Sequence, residues 1–147
     1  MTTVNIYLTF EGNCREAFEF YKKVFKTEFS SVNTFGEMPT QHGTPVLTEE
    51  QKAKIMHITL PISNQTTIMG CDSGNWGPRI IQGNNFSISV HPTNKSEADR
   101  IFLALSENGE ITMPIVKTFW NSYFGMLKDK FGINWMVNLN LTPTSPE

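Results

Sequence analysis

The chain has 147 residues, of which 39% are hydrophobic, with 11 Phe, 3 Trp and 3 Tyr; this is the size and apolar content of one globular domain, not of a disordered segment. Twelve basic against fourteen acidic residues leave a net charge of -2 without a basic block, which argues against a phosphate-tracking nucleic-acid surface. No apolar run approaches the roughly 20 residues of a membrane span, and the N-terminus lacks a charged-then-apolar signal pattern, so a cytoplasmic protein without membrane partners is expected.

Residues 4–10 alternate, with Ile6, Leu8 and Phe10 on one face and Asn5, Tyr7 and Thr9 on the other, which predicts a half-buried strand. Glu11-Gly12 turns the chain. Asn13 stands at a helix N-cap position with Glu16 three residues on, the spacing of a capping box. Ala17, Phe18, Tyr21, Val24 and Phe25 recur at helical spacing and predict an amphipathic helix over 14–25. Residues 28–35 read as a strand. The polar excursion 36–50, with Gly36, Pro39, Gly43 and Pro45, reads as a mobile loop with a short helical end. Residues 54–61 and 65–72 form two strands around a turn at Ile62-Ser63-Asn64, followed by a Gly- and Asn-rich connector over 73–84.

The pattern then restarts. Phe86, Ile88 and Val90 correspond to Ile6, Leu8 and Phe10, while Asn85, Ser87 and Ser89 correspond to Asn5, Tyr7 and Thr9. Asn94 with Glu97 repeats Asn13 with Glu16. A helix continues through Ala98, Ile101, Phe102 and Leu105, and Gly109 ends it as a C-cap. Strands over 110–117, 119–127 and 133–141 complete the second copy, and the tail 142–147 reads as frayed. The expected fold class is α+β: duplicated βαβββ modules forming two mixed, curved sheets around a central cavity, with a helix packed on each. Within one domain, 1–147, module one covers about 1–72 and module two about 85–141. The faces turned away from the helices would line the cavity with Asn, Ser, Thr and Tyr, although polar side chains on such a face also suit plain solvent exposure.

Tyr7-Leu8-Thr9-Phe10-Glu11-Gly12-Asn13-Cys14-Arg15-Glu16-Ala17 with Phe20-Tyr21 resembles the opening of PhnB-type proteins. Met56-His57 fits the same pattern. So does Phe119-Trp120-Asn121-Ser122-Tyr123-Phe124-Gly125-Met126-Leu127, followed by Asp129-Lys130-Phe131-Gly132 and Trp135-Met136-Val137-Asn138. The duplication itself resembles the vicinal oxygen chelate fold of glyoxalase I, extradiol dioxygenases, and the fosfomycin and bleomycin resistance proteins. Metal-using members place ligands on the first, fourth, fifth and eighth strands. Carried over, those positions fall on Asn5, on Met69 or Gly70, on Asn85 or Phe86, and on Val137 or Asn138. None is His, Glu or Cys, so no metal centre and no cofactor is expected there. Some members are labelled demethylubiquinone methyltransferases, yet no glycine-rich strand-to-helix turn is present to hold S-adenosylmethionine.

The resemblance implies a small-molecule-binding protein with a polar cavity, on the precedent of bleomycin resistance proteins, and a homodimer. The alternative is a lyase or dioxygenase that recruits His57 and an acidic residue into an unconventional metal site. The cavity residues expected are Asn5, Tyr7, Thr9, Asn85, Ser87, Trp120 and Asn138. His57 shares its strand parity with Ile55 and Thr59, opposite Met56, Ile58 and Leu60. If that trio packs on the helix, His57 faces the cavity as a proton donor or acceptor; a hydrogen-bonded structural histidine is the simpler reading. His42 and His91 read as surface residues, and Asp72 and Asp129 as turn formers. Trp76, Trp120, Tyr123 and Phe124 suit either an aromatic ligand wall or a core and dimer role. Cys14 and Cys71 have neither zinc-ligand nor CxxC spacing and read as inert reduced thiols, although Cys14 falls near a helix start.

Overall fold

The computed structural model describes residues 1–39, 43, 46–73 and 79–142. His42, Trp76 and the last five positions of the tail lie outside the described residues. The chain divides into two compact units, Met1–Ile81 and Gln82–Glu147.

The first unit contains β1 (Ile6–Phe10), α1 (Cys14–Phe25), β2 (Ser31–Thr34), a single 3-10 turn (Phe35–Glu37), α2 (Glu49–Ala53), β3 (Ile55–Pro61) and β4 (Thr67–Asp72). Its sheet runs β1-β4-β3-β2, with β1 parallel to β4 and the other pairs antiparallel. The second unit contains β5 (Ile88–Val90), α3 (Lys95–Ser106), β6 (Glu110–Lys117), β7 (Ser122–Lys128) and β8 (Asn134–Asn140). Its sheet runs β5-β8-β7-β6, again with only the first and last strands parallel. The duplicated βαβββ pattern is therefore present as repeated topology. The short α2 fulfils the helical end expected of the 36–50 excursion, and Thr48 with Gln51 closes a capping box at its start.

The two long helices, α1 and α3, each bury an apolar stripe on their own sheet. In the first unit Ala17, Phe18, Tyr21 and Val24 pack out of water with Leu8, Phe10, Ile58, Leu60 and Ile68. Phe18 meets Phe10 and Tyr21 edge-on, at centroid distances of 6.2 and 5.8 Å. Removing such a side chain from water contributes about 1.5–3 kcal/mol. The contact is close enough that β4 has no side chain beneath it: a Cβ on Gly70 would stand 2.7 Å from both the Phe18 ring and the Leu8 carbonyl oxygen. In the second unit Ala98, Ile101, Phe102 and Leu105 bury beside Leu127, Trp135 and Val137.

Four expectations are corrected. The strand expected over 85–90 pairs with β8 only from Ile88 to Val90. Phe86, expected inside, is consequently 61% exposed. Asn13 makes no side-chain cap; the Asp72 carboxylate takes that role from the end of β4. Gly109 is not the left-handed residue after α3. That conformation belongs to Asn108 (φ 56), while a Cβ at Gly109 would overlap the Lys128 carbonyl. Ile55 is fully buried instead of sharing the open side of His57, since the β2–β3 register slips between Asn33 and Thr34. Asn94, by contrast, caps α3 as expected, accepting the Glu97 amide at 2.8 Å.

Candidate functional site

Strand alternation sorts each sheet into a helix-covered face and a helix-free face. On the first sheet the helix-free side chains come from positions 7 and 9 of β1, 31 and 33 of β2, 57 and 59 of β3, and 69 and 71 of β4. Register places Ser31 opposite Thr59, Thr59 opposite Met69, and Met69 opposite Tyr7. One cross-strand row therefore holds two hydroxyls, a thioether and a phenol.

His57 lies beside this row, half-buried. The Ser31 hydroxyl donates to Thr59 Oγ1 at 3.1 Å, and Thr59 Oγ1 stands 3.1 Å from His57 Nε2. Thr59 Oγ1 and His57 Nε2 share one hydrogen bond, whose direction follows the ring tautomer. The His57 ring faces Tyr7 at 5.8 Å between centroids, tilted by 34°. Asn33, opposite His57, is held by Glu37, its amide donating to Oε2 at 3.1 Å. Tyr7, about half exposed, is pushed from its ordinary 10.0 up to about 12, first by the partial burial of its ring and then by the neighbouring Cys71 thiol. Tyr7 is thus a neutral phenol throughout the physiological range.

Of the expected residues in this unit, Tyr7, Thr9 and His57 occupy one face, whereas Asn5 is exposed and precedes β1. Cys71, which reads from the sequence as an inert thiol, shares that face, half-exposed with Thr67 and Met69 between buried Ile68, Gly70 and Asp72. Cys14 lies on the helix side, and burial followed by the Asp72 carboxylate raises its thiol far above the ordinary range.

The helix-free face of the second sheet has a different character. Ser89 pairs with Met136, Met136 with Met126, and Met126 with Met113, giving three thioethers in one row. In the next row Asn138 stands opposite Phe124, and Phe124 opposite Val116. Trp120 approaches the Phe124 ring at 6.0 Å, and Phe119 packs edge-on against Trp120 at 4.9 Å. The Asn138 Oδ1 atom is buried without a hydrogen-bond partner. Tyr123 does not join this face; its hydroxyl donates to Asp99 of α3, and Lys95 lies 4.9 Å above its ring. Asn85 and Ser87 precede β5, Asn85 exposed and Ser87 half-buried. His91 is exposed, with its Nε2 3.0 Å from Ser89 Oγ. No periodicity in the sequence marked the methionine row, because its members come one each from three strands.

The two aspartates read as turn formers are structural anchors. Asp72 accepts Gly12 N and Cys14 N on one oxygen, at 2.9 and 3.0 Å, and Ile55 N on the other at 2.9 Å. Asp129 accepts Phe131 N and Ile133 N at 2.8 and 3.0 Å, and Trp135 Nε1 at 2.8 Å.

The donors at the positions where metal-using proteins of the vicinal oxygen chelate fold hold their ligands do not suit a divalent transition metal. Gly70 turns to Phe18 and Val137 is fully buried, which leaves Met69 and Asn138 at those two alternatives. The set is then an asparagine amide and a thioether in the first unit and asparagine amides in the second, with no imidazole or carboxylate. Among the described residues, no three of His, Cys, Asp and Glu gather in a metal-holding group. Nor is any helix among them long and apolar enough to cross a membrane.

The family model described as 3-demethylubiquinone-9 3-methyltransferase matches residues 2–138. The protein YjdN of Escherichia coli (strain K12) is 32% identical over 138 residues, covering 90% of this chain and 92% of its own. The crystal structure of PA1353 from Pseudomonas aeruginosa superposes with a TM-score of 0.81 at 36% identity, over 95% of this chain and 98% of that one. The PhnB protein of Bacillus cereus gives 0.72 at 26% identity, over 94% and 99%. At the level of fold alone, a glyoxylase/bleomycin resistance protein/dioxygenase domain from Frankia gives 0.62 at 12% identity, over 95% and 92%. The chain belongs to the family described as 3-demethylubiquinone-9 3-methyltransferase, is PhnB-like, and shares the fold of the glyoxylase/bleomycin resistance protein/dioxygenase domain.

Proposed function

We propose that this protein binds a small molecule through its helix-free sheet faces without a metal ion. The observation that carries the reading is the Ser31–Thr59–His57 hydrogen-bonded row beside neutral Tyr7, on a sheet whose metal positions offer only an amide and a thioether. Such a row presents hydroxyl and imidazole groups that orient a polar ligand. It provides no Lewis acid to polarise a carbonyl.

Methyl transfer, which the family description names, finds no support in the local chemistry. The turn from β1 into α1 has one glycine, Gly12, and the amides of Gly12 and Cys14 already donate to Asp72. A buried carboxylate at that helix start disfavours a second anionic group there by like-charge repulsion. The superfamily's lyase or dioxygenase chemistry would need His57 to be joined by further ligands, and His57 Nε2 is engaged with Thr59 instead.

The test has two arms. Protein purified without chelator is assayed for divalent metal, with less than a tenth of an equivalent expected. Stoichiometric metal that disappears in His57→Ala overturns the metal-free reading. A metabolite library is then screened by thermal shift, since a ligand binding only the folded state raises its melting temperature. A library without a single hit leaves no binding function to defend. The same reading places the protein in the cytoplasm as a homodimer, with Phe119, 96% exposed, and its neighbour Trp120 as apolar surface for a second copy to cover. Sedimentation at micromolar concentration distinguishes dimer from monomer.

A further inference from the structure

Imidazole side chains change charge between about pH 5 and 8, and His57 brings that property to the helix-free face of the first sheet. The positions sharing this face, 7 and 9, 31 and 33, 57 and 59, 69 and 71, hold Tyr, Thr, Ser, Asn, His, Thr, Met and Cys, with no lysine, arginine or carboxylate among them. Tyr7 of β1 lies beside the imidazole, Asn33 of β2 stands opposite it, and β4 adds Cys71 to the face. Glu37 contributes a carboxylate beyond Asn33, exposed to water and engaged by the Asn33 amide. Ser31 is exposed, and His57 and Thr59 are half-buried, so the row is open to solvent.

The two ring nitrogens of His57 are used unequally. Nε2 shares a hydrogen bond with Thr59 Oγ1, which also bonds Ser31, both at 3.1 Å, whereas Nδ1 has no partner among the described residues. A neutral ring lets the Thr59 bond run in either direction, since a hydroxyl both donates and accepts. A protonated ring allows one direction only. Nε2–H then donates, and the Thr59 hydroxyl proton is turned out of that bond. Nδ1–H is left as a charged donor without a protein acceptor, so the row presents surplus donors and one positive charge.

We propose that the Ser31–Thr59–His57 row takes an organic carboxylate, to which Nδ1–H of protonated His57 and the hydroxyl proton released along the row donate. The proposal rests on the small-molecule-binding reading and deepens it by naming the ligand class and its dependence on pH. A neutral ligand gains nothing from the charge, and a cation is repelled by it. Glu37 opposes an anion, but its exposure to water and salt screens it.

The experiment compares benzoate with its neutral counterpart benzamide, by ligand-observed NMR on the full chain at pH 5.5 and pH 8. Carboxylic acids ionise near pH 4, so benzoate is an anion at both values and any change in its binding belongs to the protein. Benzoate is expected to bind about five- to tenfold more tightly at pH 5.5, the worth of a charged hydrogen bond weakened by partial exposure. Benzamide is expected to change by less than about twofold. His57→Gln, which leaves His42 and His91 in place, holds benzoate at its pH 8 affinity throughout. Thr59→Val keeps the charge but loses the row, so the pH dependence persists with benzoate about two- to threefold weaker at pH 5.5. Benzoate affinity independent of pH, a dependence that survives in His57→Gln, or no benzoate binding at pH 5.5 overturns the proposal. The wild-type comparison needs no variant and decides the matter even if the Gln variant fails to fold. Thermal-shift hits confined to neutral molecules would then leave the binding reading intact without the carboxylate, whereas a library without hits removes both.

Discussion

The carboxylate of Asp72, at the end of β4, accepts the backbone amide of Cys14 at the start of α1, across 58 positions of sequence. Three elements meet at this one side chain, because the same group also receives the amides of Gly12 and Ile55. The first helix is thereby capped by a strand it packs on, and the local capping residue is redundant.

Asp72→Ala leaves three amides without their acceptor, two of these bonds being buried. Hydrogen bonds to a charged group contribute about 1.5–3 kcal/mol each, and not additively, so a loss of about 3–5 kcal/mol is expected in urea denaturation. Asn13→Ala, which removes no side-chain cap, should cost under about 0.5 kcal/mol, whereas Asn94→Ala should cost about 1 kcal/mol. Equal losses for the two asparagines would show that the caps are alike.

A second expectation concerns the thiols. Cys14 is fully buried with its ionisation strongly suppressed, while Cys71 lies half-exposed beside Tyr7. A thiol-exchange reagent should therefore modify one equivalent in the native protein and a second only on unfolding. Cys71→Ser should abolish the native reaction. Two equivalents reacting natively at one rate would contradict the placement of Cys14.

Much of the fold was legible because it rests on periodicity. Leu8 and Phe10, and Ala17, Phe18, Tyr21 and Val24, declare their buried faces by spacing alone. The duplicate was legible because Asn94 and its helix repeat the order of the first copy. What stayed hidden depends on partners distant in sequence. Phe86 matched Ile6 in pattern but had no strand to pair with, and Asn13 looked like a cap until Asp72 arrived from β4. The site was legible in part. Tyr7, Thr9 and His57 share a face as parity required, whereas the Met113–Met126–Met136 row is created by register between strands and has no signature along the chain.

Gly70 gives a packing prediction. A Cβ there meets the Leu8 carbonyl oxygen and the Phe18 ring, both at 2.7 Å, and backbone cannot step aside as a flexible side chain can. Gly70→Ala should destabilise by about 1–3 kcal/mol, the usual cost of overpacking. Gly70→Ala combined with Phe18→Leu should recover part of that loss, a coupling measurable in a double-mutant cycle. Strict additivity would mean that Leu8, not Phe18, sets the limit.

The last prediction concerns Tyr7 and pH. Partial burial and the neighbouring Cys71 thiol raise it from 10.0 in a free chain to about 12 in the fold. The folded state thus holds the phenolic proton more tightly than the unfolded state does. The resulting stabilisation is complete below about pH 10 and is lost as pH climbs through 12, because the unfolded state ionises first. Tyr123, kept protonated chiefly by its hydrogen bond to Asp99, acts in the same direction, so the diagnostic quantity is the difference between wild type and Tyr7→Phe. That difference should be flat from pH 7 to about 9.5 and should narrow between 10 and 12, as the wild type alone loses the Tyr7 contribution. Urea denaturation at half-unit pH steps measures it, with tyrosinate absorbance followed in parallel. Parallel curves through pH 12 would place the Tyr7 hydroxyl in open water, detached from Cys71 and from the face it shares with His57.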